Sequence, residues 1–136
     1  MNQLLLYLSC VVIFIIVDAP YLYTNAELYK KRTLAISGKS YTKRYYSAVI
    51  VYLALALGVI FLVLPRMDTN GNKNISLQSR IQNALLYGGV FGLASYATFD
   101  FTMHFMFEGW DLYVSILDSI WGAILCSIVA LIISYL

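Results

Sequence analysis

Three of the seven acidic residues, Asp18, Asp100 and Asp118, stand inside long apolar runs. A carboxylate at the centre of a membrane span costs about 2.5–3.5 kcal/mol on insertion scales, so such residues are shielded, paired, protonated or in use. Carboxyl groups held this way can divide acid and base roles, exchange protons or hold a hard cation through oxygen. Their neighbours enlarge the set. Tyr96, Asp100, His104 and Glu108 follow one another at i+4, a polar ridge that drifts about 40° per step, and His104 is the only histidine in the chain. Asp111, Ser115, Asp118 and Gly122 make a second ridge with Trp121 beside it, and Tyr21 follows Asp18 by three residues on nearly the same face. The candidate polar pocket is therefore Asp18, Asp100, Asp118, His104, Tyr96, Trp121, Ser115 and Tyr21. Taken singly, each Asp has a plainer reading as interhelical glue to a Tyr, Ser or Trp partner, worth about 0.6–2 kcal/mol. Three Asp and one His are a loose ligand set, and the chain carries neither GxSxG nor HExxH, so the sequence assigns no metal, cofactor or catalytic residue.

These residues need elements to carry them. An apolar block from Leu4 to about Tyr23 matches the ~30 Å hydrocarbon thickness at 1.5 Å per residue. It reads as a retained first span, since no positive charge precedes it and Val17-Asp-Ala-Pro20 is a poor cleavage site. Further spans are expected over about 45–65, 81–107 and 112–136, the second entered through Tyr45-Tyr46 and closed by Pro65-Arg66. Residues 24–44 read as a polar, basic loop, within which Glu27 to Ser37 forms a short interfacial helix stopped at Ser37-Gly38-Lys39. Asp68 to Asn74 is turn chemistry, an exposed hairpin connection. Only Glu108 to Asp111 separates the last two spans, which predicts a tight antiparallel hairpin. The expected fold is an all-α integral membrane bundle of four transmembrane helices in a single membrane domain, residues 1–136. In this frame all three Asp residues lie roughly 7–11 Å below the same interface, the one beside residues 24–44 and 108–111. If their faces turn inward, the three carboxyl groups converge.

Composition agrees with the spans. Apolar and aromatic residues make up 61% of the 136 residues and charged residues only 12%, against about 25% charged in soluble domains. A net charge of +2, with no basic or acidic tail, excludes a nucleic-acid-binding domain. Cys10 and Cys126 each sit within an apolar run, which excludes a disulfide framework and reads as packing. Six of the nine basic residues lie in 24–44, among them Lys30, Lys31 and Arg32, which are placed to meet anionic lipid headgroups. The positive-inside rule then puts that loop in the cytoplasm and both termini outside, with the Asn74-Ile75-Ser76 sequon on the outer side. Gly88, Gly89 and Gly92, with Ala84 one turn earlier, give a small-residue face for close helix approach, and Ala54 with Gly58 does the same on the second span.

Several of these residues carry a resemblance. Tyr96-Ala-Thr-Phe-Asp100-Phe-Thr102, then Gly109-Trp110, then Asp118-Ser-Ile-Trp121-Gly122, with Asp18 in the first span and Val63-Leu-Pro65 closing the second, resembles domain-of-unknown-function family 2177 of small membrane proteins. The likeness covers nearly the whole chain and implies four spans and no established activity. The chain departs from the family pattern at Met103, where Asn is typical, and at Tyr21, where the first span usually has Trp.

Three functions compete. A non-catalytic membrane subunit or scaffold, with a larger membrane assembly or a homo-oligomer as its partner, asks least of the carboxylates and is the leading reading. A lipid-active membrane enzyme would use the Asp/His pocket, and a proton- or cation-linked carrier would use Asp100 and Asp118. A water-accessible pocket favours the latter two, and a dry network with every oxygen bonded favours the scaffold.

Overall fold

The computed structural model describes residues 2–37, 44–67 and 75–136, and among these all regular structure is helical. Helix α1 is Gln3–Ser37, α2 is Tyr45–Met67 with a π turn at Val59–Val63, and α4 is Leu112–Ile133. Between them α3 covers residues 77–106, running from Leu77–Asn83 through a π turn at Ala84–Gly88 into Gly89–Met106.

Helix α1 runs well beyond the expected first span. Residues 24–37 are not a loop bearing a separate interfacial helix; they continue the same helix past Tyr23. Ala26-Glu-Leu-Tyr-Lys-Lys-Arg32 are mostly good helix formers, and Pro20 costs one backbone hydrogen bond without ending the helix. The stop expected at Gly38-Lys39, the turn at 68–74, Lys39, Lys43, Lys73 and Asn74 of the sequon lie outside the described residues. Helix α3 starts four residues earlier than expected because Ser76 caps it, its Oγ accepting from the Ser79 amide at 3.2 Å.

Polar contacts at the helix ends fix the up-down order. Arg32 Nε lies 2.6 Å from Asp111 Oδ2, which brings the far end of α1 to the α3–α4 connection. At the opposite end Asn83 Nδ2 donates to the Met67 carbonyl at 3.1 Å, and Arg80 Nη1 donates to the Ser134 carbonyl at 2.9 Å. The α3–α4 connection is short and sharp. Phe107 turns extended, Gly109 takes φ 88°, and Asp111 caps α4 by accepting from the Tyr113 amide at 2.8 Å.

Helices α3 and α4 form the closest pair. A Cβ on Gly92 would collide with the Gly122 carbonyl, and one on Gly88 would fall 2.8 Å from the Cys126 carbonyl. The expected small-residue face on α3 therefore does meet a neighbouring backbone. On α2 the outcome differs: Gly58 faces the Phe91 ring rather than a backbone, and Ala54 is exposed. The core under these contacts is Cys10, Phe14, Val59, Met67, Leu125 and Val129, with both cysteines free and buried.

The distribution of polarity is reversed relative to a water-soluble bundle. Along α4 the exposed stripe is Ile116, Ile120, Ile124, Ile128 and Ile132, while Ser115, Ser119 and Ser127 are buried. Asp18 and Asp100 are buried too, at 5% and 1% exposure. An apolar exterior around a polar seam suits a hydrocarbon solvent. By length and composition α1 over Gln3–Arg32, α2 and α4 are long and apolar enough to cross a membrane. Helix α3 is interrupted by Gly, Ser, Tyr, Thr and Asp and is less apolar than these three.

Candidate functional site

Asp18 sits midway along α1, and its two oxygens are held by two other helices. Tyr52 of α2 donates its hydroxyl to Oδ2 at 2.5 Å, and Trp121 of α4 donates Nε1–H to Oδ1 at 2.7 Å. One carboxyl group thus ties α1, α2 and α4 with two hydrogen bonds. Tyr21, three residues on, stacks flat against Trp121 with ring centroids 4.7 Å apart at 7°.

Asp118 lies one turn from Trp121 toward the α3–α4 connection. Its Oδ1 accepts from Tyr29 at 2.6 Å and from Tyr21 at 3.3 Å, and the two hydroxyls are themselves 2.7 Å apart. On its other side Asp118 borders a smaller cavity together with Asp100 of α3. Two ionised carboxylates have no donor between them, so such a pair bonds only when one oxygen carries a proton. Asp100 Oδ2 is buried and receives no donor from any described residue.

Of the three intramembrane acids expected to converge, Asp100 and Asp118 border one small cavity, and Asp118 is linked to Asp18 through the Tyr21–Trp121 stack. They border two cavities. The larger, about 500 Å³, opens between α1 and the start of α2, with Leu22, Ala26, Tyr45, Ala48 and Val51 on its walls and Arg44 on its rim. Asp18, Tyr21, Tyr29, Tyr52, Tyr96, Asp118 and Trp121 form its polar and aromatic floor. The smaller, about 130 Å³, lies behind Asp118 under the α3–α4 connection, between Asp100, Phe99, Trp110 and the Arg32–Asp111 ion pair.

Of the residues singled out by spacing, Asp18, Tyr21, Tyr96, Asp118 and Trp121 border the larger cavity and Asp100 the smaller. Two do not border either. His104 is exposed with Nδ1 2.7 Å from the Trp110 carbonyl, so it closes the α3–α4 turn. Ser115 accepts from Trp110 Nε1 at 3.0 Å and donates to the Asp100 carbonyl at 3.3 Å, a packing role between α3 and α4. The i+4 ridge through His104 to Glu108 leaves the site because its drift carries it to the surface. Tyr29, Tyr52 and Arg44 are the site residues that spacing missed. Tyr29 stands eleven residues after Asp18, almost three whole turns and hence the same face, but the expected helix end at Tyr23 placed it in a loop. Among the described residues no group of three or more His, Cys, Asp and Glu side chains is arranged to hold a metal ion.

A family model of predicted membrane proteins matches the chain over residues 3–135. No curated protein and no solved structure matches it.

Proposed function

The chain belongs to the DUF2177 family of predicted membrane proteins, and from that premise we propose that it binds an amphiphilic small molecule in the cavity between α1, α2 and α4. The observation that carries this reading is the 500 Å³ cavity with Asp118 on its floor. Pockets that take small molecules run to about 300–1,000 Å³, mostly apolar with a few convergent polar groups, and this cavity has that size and lining. The exposed Arg44 and Tyr45 are among its lining residues. In this reading a molecule held in the bilayer enters between α1 and α2.

In this reading α3 is the fourth span, returning across the same thickness as α4, to which Phe107–Asp111 connects it directly. The end bearing Lys30, Lys31, Arg32 and Arg44 faces the cytoplasm, following the excess of basic residues there. Lys30 and Lys31 are exposed to meet anionic headgroups, whereas Arg32 is paired with Asp111.

The scaffold reading is favoured by one observation, that Asp18 has both oxygens bonded across three helices. The two readings divide the acids: Asp18 fastens the bundle, and Asp118 with Asp100 serves the ligand. Native mass spectrometry of the chain released from nanodiscs tests this. An amphiphile retained by the unaltered chain and absent from Ala48→Trp, which fills the cavity, supports binding there. Identical adducts on both chains contradict it.

A further inference from the structure

The larger cavity has a definite electrostatic sense, and it specifies the ligand more closely. Resting on the binding reading above, we propose that the cavity recognises a hydrophobic cation: an amine or quaternary ammonium on an apolar body, its charge against Asp118 and its body among the aromatic rings. Six of the thirteen described lining residues are aromatic, Tyr21, Tyr29, Tyr45, Tyr52, Tyr96 and Trp121, and two are carboxylic acids. Rings present a negative face that attracts cations, most strongly where water is excluded. Three of the hydroxyls present, those of Tyr21, Tyr29 and Tyr52, are already directed at carboxylate oxygens. What these three residues leave to a guest is acceptors and ring faces.

The second cavity reinforces that sense. Behind Asp118 stands Asp100, 1% exposed and with Oδ2 unbonded by any described donor, aimed into the 130 Å³ space. Asp100 thus places a second carboxyl group near Asp118, on the wall of the same small cavity. Among the described residues the nearby cations are Arg44, which is exposed, and Arg32, which is paired with Asp111 at 2.6 Å. A divalent metal is a poorer occupant, because no three-ligand group exists among the described residues. A simple anion would meet Asp18 and Asp118 with one rim arginine to hold it.

Tetraphenylphosphonium and tetraphenylborate, nearly identical in shape and opposite in charge, separate these terms. Equilibrium dialysis uses the whole chain in phosphatidylcholine nanodiscs, with empty nanodiscs as the blank. Saturable binding of the phosphonium, roughly tenfold or more tighter than the borate, is the expected result. The chain has two tryptophans, and Trp121 lines the cavity, so the phosphonium is expected to quench its emission in Trp110→Phe. Asp118→Asn, which keeps shape and an acceptor for Tyr29, is expected to weaken phosphonium binding roughly tenfold. Equal binding of both ions overturns the cation inference but leaves the amphiphile reading standing. Saturable binding of neither, with a retained adduct in native mass spectra, also overturns the cation inference alone. Preference for the borate overturns it outright.

Discussion

Removing the donors on Asp18 one at a time measures how strongly one buried acid fastens three helices. Tyr52→Phe deletes a 2.5 Å bond and Trp121→Phe a 2.7 Å bond, each to a carboxylate that is 5% exposed. Hydrogen bonds to charged groups are worth about 1.5–3 kcal/mol in soluble proteins, but interhelical bonds in membranes average about 0.6 and reach about 1.7, because the unfolded helices also find partners. The buried, doubly bonded acceptor puts each of these at the upper membrane value, about 1–2 kcal/mol. Phe at 121 still stacks on Tyr21, so the indole N–H is the principal loss. With both donors gone the carboxylate is left buried without them, and the double variant is expected to lose about 3–5 kcal/mol. The assay is unfolding by SDS titration in mixed micelles, scored by midpoint and slope. The diagnostic term comes from repeating Trp121→Phe in an Asp18→Ala background, where it is expected to cost almost nothing. If instead it costs the same there, within about 0.5 kcal/mol, Trp121 and Asp18 do not interact and the fastening argument fails.

Other substitutions probe separate parts of the account. Asp100→Asn and Asp118→Asn act on one small cavity that both residues line, so their effects on unfolding in SDS are expected to be non-additive by about 0.5–3 kcal/mol, and strict additivity would separate the two groups. Gly92→Ala forces a methyl into the Gly122 carbonyl and pushes α3 from α4, a loss of about 1–3 kcal/mol read from the same titration, whereas Ala54→Leu on the exposed face of α2 is expected to change little. Asp111→Ala removes both the α4 cap and the Arg32 partner and is expected to cost about 1–2 kcal/mol, more than Arg32→Ala, whose exposed guanidinium loses only a partly screened ion pair.

The acid constellation was legible because burial of charge in an apolar run is costly wherever it occurs, and three such acids at one depth had few places to go. The α3–α4 hairpin and its glycine contact were legible for a similar reason: a four-residue connection and a small-residue face leave little freedom. The length of α1 was not. Hydropathy ends near Tyr23 where the charges begin, but backbone hydrogen bonding does not depend on hydropathy, and Ala26–Arg32 propagate the helix. That one difference hid Tyr29, and with it half of the shell around Asp118. Tyr52 was hidden differently. Among twelve tyrosines nothing local distinguishes the one whose hydroxyl reaches Asp18, because the partner is 34 residues away and the pairing depends on how α2 is rotated. His104 shows the converse error, since a histidine in phase with an acid ridge looked like part of it, yet the turn at Gly109 draws it to the Trp110 carbonyl.

The central claim is that a reachable, acid-floored cavity lies between α1 and α2, and a single engineered thiol tests it. Ala48 lines the cavity, Ile124 lies on the exposed stripe of α4, and Cys10 and Cys126 are buried. In membranes, Ala48→Cys is expected to react with a trimethylammonium methanethiosulfonate about tenfold faster than with its sulfonate counterpart, since an acidic cavity concentrates cations. Ile124→Cys is expected to react with neither. A thiol at 48 as inert as the one at 124, or one that prefers the sulfonate reagent, would contradict the account.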